Sequence, residues 1–307
     1  MATRGDTQTS QKEGLKKGAD FKTSTSVRHA LDRMFSVLVL TATLIGLVVL
    51  AILLVDIAWD GVPRLSWDFI TSFPSVTPEN AGIWPALLGS LWLLLITTIV
   101  SVPLGVGAAI YLEEYAPDNW LTRLIEINIS NLAGVPSIIY GLLGLAIFVN
   151  LLGPITGGES VISGALTLSL LILPVIIIAT REALRAIPVS VREGGIALGA
   201  TRWEVIWSHL LPMAVPGALT GSILALSRAI GETAPLIVVG AATYITFAPD
   251  GPLSAYSALP IQIYAWVSQP QPAFQVIAAA GIVVLMAVLV LTTSVAIYLR
   301  NRYQRRA

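Results

Sequence analysis

Cysteine is absent from the chain, which excludes disulfides, thiol catalysis and cysteine-based metal sites. Histidine is nearly absent: His29 and His209 are too few and too far apart in sequence to suggest a metal centre. Lysine occurs only at Lys12, Lys16, Lys17 and Lys22, so no phosphate-cradling Gly-Lys-Ser/Thr loop exists beyond the N-terminal tail, and the chain is not expected to hold ATP that way itself. Charge is scarce as well. Only 12% of the 307 residues are charged, where soluble domains carry roughly a quarter, and 55% are hydrophobic. The formal net charge is zero, and nucleic acid is not an expected partner. This is the composition of an all-α integral membrane protein whose partners begin with the lipid bilayer.

What is present is a series of long apolar runs. Phe35 to Val55 would extend about 31 Å as a helix, the thickness of one bilayer core. The polar stretch before it is too long for a secretory signal and Asp56-Ile57-Ala58-Trp59 offers no good cleavage site, so it reads as an uncleaved anchor. Five further spans are expected: Trp84 to Leu112, Ile127 to Leu152, Val161 to Ala179, Val215 to Val239 and Ala273 to Leu299. Interior breakers such as Pro103, Gly134, Pro136 and Pro174 are tolerated in membrane helices when neighbours satisfy the freed backbone groups, and they read mainly as packing positions. The expected organisation is a disordered tail over 1–33, a membrane domain over 34–299 with a folded loop at 180–213, and a basic C-terminus over 300–307.

Sixteen of the eighteen Lys and Arg residues fall in the tail, at Arg123, in the 180–213 loop or at the C-terminus, against Arg64 alone on the other side. Six spans put all of these on one face of the bilayer. By the positive-inside rule that face, with both termini, is expected to be cytoplasmic. The opposite face carries two loops, Trp59 to Ile83 and Gly240 to Pro272, rich in Trp, Tyr, Phe and Pro. They suit an interfacial aromatic belt or the docking of an external partner, with Pro260 to Val267 a candidate surface helix.

The loop at 180–213 parses as two short helices. Pro188 stands at an expected first helical position and Gly199 at a left-handed stop, so 188–198 reads as the first, with Ser190-x-x-Glu193 a candidate capping box. Thr201-Arg202-Trp203-Glu204 is a second capping box. Behind it Trp203, Ile206, Trp207, Leu210 and Leu211 form one apolar stripe on an amphipathic helix expected to end at Pro212. Such a stripe needs a partner.

The fifth span carries Arg228 and Glu232 within apolar sequence, with Ser227 and Thr233 beside them. A charge at mid-membrane costs roughly 3 kcal/mol on insertion scales, so it calls for compensation. The two residues lie four apart, on one helical face, and can pair. An internal ion pair that glues helices together is one reading. The other is a translocation path, in which a planar guanidinium matches an oxyanion and the carboxylate accepts a proton that phosphate carries and sulfate lacks.

Glu193-Gly194-Gly195-x-x-x-Gly199, then nine residues and His209-x-Leu211-Pro212, resembles the "EAA" loop of ATP-binding-cassette importer permeases, with two glycines for alanines and His209 for isoleucine. Ser227 to Leu236 is similar to the matching stretch of phosphate-specific permeases, and Thr233-Ala234-Pro235-Leu236 favours the A-type subunit, PstA, over the C-type. Residues 81–90 and 134–141 are also similar to family segments, and the resemblance covers about 60–300.

The resemblance implies the six-helix type I importer permease fold with a coupling-helix loop between spans four and five. It implies a transport subunit rather than an enzyme, paired with a second, C-type permease, two copies of a cytoplasmic ATPase that binds ATP and Mg, and an extracytoplasmic phosphate-binding protein. Arg228, Glu232, Ser227 and Thr233 would line the substrate path. Glu193, Gly194, Gly195, Gly199, Thr201, Trp203, Ile206, Trp207, Leu211 and Pro212 would couple to the ATPase. Other oxyanions (sulfate, molybdate, a phosphonate) remain alternative cargoes. A stand-alone anion carrier or channel would explain the intramembrane charges but not the folded loop, and a membrane enzyme lacks a nucleophile-base pair in the spans.

Overall fold

A computed structural model describes residues 25–304 of the chain; the tail over 1–24 and residues 305–307, including Arg305 and Arg306, lie outside the described residues. Among the described residues there is no strand. The chain divides at Val55/Asp56 into two units. The first consists of most of helix α1 (Thr25–Gly61), which starts within the region expected to be tail. The second holds everything else.

Within the second unit, helices α2 (Trp84–Ile110), α5 (Val161–Arg185), α8 (Leu211–Gly231) and α11 (Pro272–Gln304) are the long elements. With α1, these helices are long and apolar enough to cross a membrane, and the bent pair α3 (Trp120–Leu132) and α4 (Ser137–Gly144) makes a sixth when its two halves are taken as one span. The expected span Ile127 to Leu152 falls on this pair and is bent rather than continuous. Its halves meet at 107°. The residue before a proline is driven out of the helical region, and Gly134-Val135-Pro136 stops α3, with Pro136 extended at the start of α4.

Helix α5 is the centre of the unit. One side receives α2, where a side chain at Gly105 would strike Ile176 and Thr97 Oγ1 donates to the Ala165 carbonyl at 3.2 Å. The other side receives α8, where Gly217 faces Ala183 and Gly221 faces Ala179 so closely that any Cβ would collide. Small residues let the backbones approach, and dispersion contacts replace a hydrophobic drive that lipid does not supply. Buried Leu171, Ile172, Ile176, Ala225, Ala229 and Tyr140 continue the contact toward the middle of the unit.

The aromatic loops divide: Trp67, Phe73, Tyr244 and Tyr264 are exposed, as an interfacial belt requires, whereas Phe69, Tyr256 and Trp266 are buried. Helix α10 (Leu259–Val267), expected as a surface helix, buries Leu259, Pro260, Ile261, Gln262 and Trp266, and the Trp266 ring lies 6.0 Å from that of Phe69. The reason is pairing: the Leu259 N–H donates to Ser90 Oγ of α2 at 2.8 Å, and the apolar face packs on α2 and α11.

Candidate functional site

The fifth expected span, Val215 to Val239, is a broken element. Helix α8 ends at Gly231, Glu232 is extended (φ −74°, ψ 119°), and a five-residue helix α9 (Ala234–Val238) follows. Pro235 explains the stop. It has no N–H to donate to the Gly231 carbonyl four residues back, and its ring would strike that carbonyl.

The break lies deep in the unit. The antiparallel register that sets Gly217 on Ala183 and Gly221 on Ala179 continues to place Arg228 level with Ile172, beside the midpoint of α5. Irregular backbone at such depth is tolerated only where protein covers it or it lines a water-filled cavity. The bent pair meets it there, since Gly141 of α4 sits directly on Pro235.

Arg228, in the last turn of α8, donates from Nε to Glu232 Oε1 at 3.0 Å. The guanidinium is 48% exposed and the carboxylate 16%. A cation in a last helical turn also suits the negative end of the helix dipole. Among the described residues this is the only side-chain hydrogen bond of Arg228, so its terminal nitrogens are left for another acceptor. Leu224, Arg228 and Gly231 recur at i, i+4 and i+7 as one exposed stripe of α8. The neighbours named from sequence do not all join the pair. Ser227 turns to α11, its Oγ 3.2 Å from Thr293 Oγ1, and Thr233 sits half-buried at the start of α9 with no capping bond.

The loop at 180–213 has two helices, as expected, with different ends. The first, α6 (Val189–Ala197), has Pro188 at its N-cap; Ser190 is already helical, so the proposed Ser190–Glu193 capping box does not form. Gly199 takes φ +86°, the left-handed stop expected of it. The second, α7 (Arg202–Val205), starts with the full Thr201–Glu204 capping box: the Thr201 N–H donates to Glu204 Oε2 at 2.7 Å and the Glu204 N–H to Thr201 Oγ1 at 3.3 Å.

This helix does not end at Pro212. It runs through a π-helical segment, Ile206–Leu210, into α8. Leu211 N–H donates to the Ile206 carbonyl five residues back, and this wider turn accommodates a proline that leaves the Ser208 carbonyl without its usual donor.

The apolar stripe divides accordingly. Val205, Ile206 and Leu210 are buried with Leu184, Ile187 and Ala214, while Leu211 is half-buried and Pro212 exposed. Trp203 and Trp207 stay exposed and stack on each other with ring centroids 5.7 Å apart. In the same loop Val189, Ile196 and Leu198 are also exposed, Leu198 by 90%. Glu193 and Gly194 face outward too, whereas a Cβ at Gly195 would come within 2.6 Å of Val205 Cγ2. The loop thus exposes several large apolar side chains and a carboxylate over a tightly packed base.

Sequence reasoning missed the groups beneath this surface. Glu113 and Glu114, in the π-helical segment Tyr111–Tyr115 that ends α2, and Glu126 of α3 meet Arg181, Arg185 and Arg192. Arg181 is only 9% exposed and contacts both Glu113, at 3.4 Å, and Glu126. Two adjacent glutamates at the end of an apolar run, opposite an arginine-rich loop, were the available signal.

The profile of a protein family described as "binding-protein-dependent transport system inner membrane component" matches residues 101–306. The chain belongs to that family. A probable ABC transporter permease protein of Bacillus subtilis (strain 168), YqgI, is 39% identical over 204 residues, covering 66% of this chain and 68% of that protein. The phosphate transport system permease protein PstA of Mycobacterium leprae (strain TN) is 36% identical over 254 residues, 80% of this chain and 81% of that one. Among solved structures, a bacterial alginate ABC transporter in complex with an alginate pentasaccharide-bound periplasmic protein superposes with a TM-score of 0.62 at 16% identity, over 93% of this chain and 98% of that one. The fold is that of type I importer permeases. As a binding-protein-dependent transport system inner membrane component, the chain is a multi-pass inner-membrane transport subunit and not itself an enzyme.

Proposed function

We propose that the chain forms half of the translocation path of an ATP-driven inorganic phosphate importer. It works with a second, C-type permease, two copies of a cytoplasmic ATPase that carries ATP and Mg, and an extracytoplasmic phosphate-binding protein. Its termini lie in the cytoplasm, on the side of the arginine-rich loop. The observation that carries this reading is the Arg228–Glu232 pair at a helix break level with the midpoint of α5, on an exposed stripe of α8. The likeness to phosphate transport permeases such as the Mycobacterium leprae protein supports the choice of cargo.

The chemistry follows from what each group has to spare. Nε of Arg228 is engaged by Glu232, which fixes the plane of the guanidinium, and the terminal nitrogens offer a two-pronged donor to an oxyanion. Phosphate that retains a proton donates it to the second oxygen of Glu232. Sulfate has no proton to give and is repelled. Exposed Trp203, Trp207 and Leu198, with Glu193, belong to the surface that meets the ATPase, and the unbroken run from α7 into α8 carries its motion to the Arg228 level. Thr233 borders the break, and Ser227 holds α8 to α11.

The test is uptake of labelled phosphate, with sulfate as the control anion, by cells that lack their own high-affinity system and express the chain with its partners. Arg228→Gln at equal membrane abundance is expected to lose about 100-fold in phosphate uptake, the scale of one lost charged hydrogen-bonding group. Glu232→Gln is expected to admit sulfate. Wild-type uptake by Arg228→Gln would make the pair structural glue and remove the site from the path, and continued rejection of sulfate by Glu232→Gln would show that the carboxylate does not discriminate.

A further inference from the structure

Arg192 stands in the loop helix α6, yet every group it holds belongs to another part of the protein. Its Nη1 donates to the Ile187 carbonyl and its Nη2 to the Leu184 carbonyl, both at 2.9 Å, closing the C-terminal end of α5. Nε and Nη2 reach the Glu114 carboxylate at 3.0 and 2.8 Å. The pair is 20% and 10% exposed, so the charged hydrogen bonds act where water competes weakly. One guanidinium thus ties α6 to the ends of α5 and α2.

The tie is extended sideways by the neighbouring charges. Glu113 accepts from Nε of Arg185 at 2.9 Å and from Nε of Arg181 at 3.4 Å, and Arg181 also reaches Glu126 of α3. Three arginines and three glutamates join the ends of α2, α3, α5 and the loop helix, and Glu182 of α5 adds a longer contact to Arg185 at 3.8 Å. Adjacent residues of the segment Tyr111–Tyr115 serve different partners, Glu113 facing α5 and Glu114 facing α6.

The loop is joined covalently at both ends, to α5 through residues 186–188 and from α7 through Ile206–Leu210 into α8. Its link to α2 is ionic, from Arg192 of α6 to Glu114. If the covalent routes acted alone, a push on the loop would reach α5 and α8 while the C-terminal end of α2 stayed unattached to it. We propose that the Glu114–Arg192 pair, braced by Glu113, Glu126, Arg181 and Arg185, is a strut that makes α2 move with α5 and α8, so that ATPase-driven motion of the loop reaches the Arg228 level as one rigid displacement. These are positioning residues for transport, distinct from the surface that meets the ATPase. The inference rests on the ATP-driven reading above.

The absence of cysteine allows a direct test in the assembled transporter, reconstituted in liposomes. Glu114→Gln is expected to leave assembly and ATP hydrolysis unchanged while phosphate transported per ATP falls about tenfold, within the usual range of coupling between sites. The Glu114→Cys/Arg192→Cys double variant is expected to show the same low ratio, to regain most of it when a reducible bifunctional thiol reagent bridges the two positions, and to lose it again on reduction. A purely structural role would not respond to cutting the bridge in a complex already assembled. A wild-type ratio in Glu114→Gln overturns the strut, as does a low ratio in the double variant that bridging leaves unmoved; if the double variant does not assemble, the Glu114→Gln ratio alone decides. Should the unmutated complex fail to couple ATP to phosphate uptake at all, the transport reading fails and not the strut specifically.

Discussion

Two sets of arginine–glutamate contacts sit at the two functional ends of this chain, and they are built oppositely. At the loop end, Arg181 and Arg192 are largely buried and spend their donors on carboxylates and helix-end carbonyls. At the helix break, Arg228 is half-exposed and meets only Glu232 with one nitrogen. Saturated charges fix geometry, because any movement must give up several desolvated bonds at once. An unsaturated cation on an exposed stripe has donors left for something that is not part of the chain. On the function proposed above, the same two residue types serve as a joint in one place and as a recognition group in the other.

Breaking a member of each set should separate these roles. Arg181→Met leaves Glu113 without one partner and strands Glu126, both partly buried, and is expected to lower stability by about 2 kcal/mol, toward the low side for a broken buried pair because Glu126 remains partly solvated. Thermal unfolding in detergent reads it directly, and an unchanged midpoint would mean that the network carries no structural load. Arg228→Lys keeps the charge but loses the planar fork, so phosphate uptake should fall about tenfold with the thermal midpoint unmoved. Equal uptake by lysine would reduce the site to a point charge.

The smallest effects sharpen the contrast within the loop itself. Gly195→Ala forces Val205 Cγ2 to give way, and a β-branched side chain has little freedom to do so; a loss of about 1 kcal/mol is expected, relieved when Val205→Ala is added. Gly194→Ala meets open space and should gain about 0.5 kcal/mol from helix propensity. Two glycines side by side would then differ in sign, and equal responses would remove the packing account of Gly195.

How much was legible in the sequence varies with the range of the physics involved. Local chemistry was readable: the Thr201–Glu204 capping box and the left-handed Gly199 form because each depends on residues within one turn. The Arg228–Glu232 pairing was readable for the same reason, since spacing of four puts both on one helical face. The Ser190–Glu193 box failed because the local competition fell to Pro188, which takes the N-cap. Two breaks, at Pro136 and at Pro235, were passed over although both prolines were in view. Hydropathy averages over a window, and a proline that stops a helix there has the same letter as one that helices accommodate, as Pro174 is inside α5.

By itself the sequence determined that this is a membrane protein of several apolar helices, where its charged loop lies, and which two residues set charge within an apolar run, because composition and periodicity are set by the solvent each segment must face. Only the tertiary structure decided that the tryptophans of one stripe stay exposed while its aliphatic members are buried, that α10 folds inward, and that Glu113, Glu114 and Glu126 close on the loop arginines. Those outcomes rest on contacts between residues 55 to 78 positions apart in the ion pairs, and a long-range contact exists only once the helices between its partners have been packed.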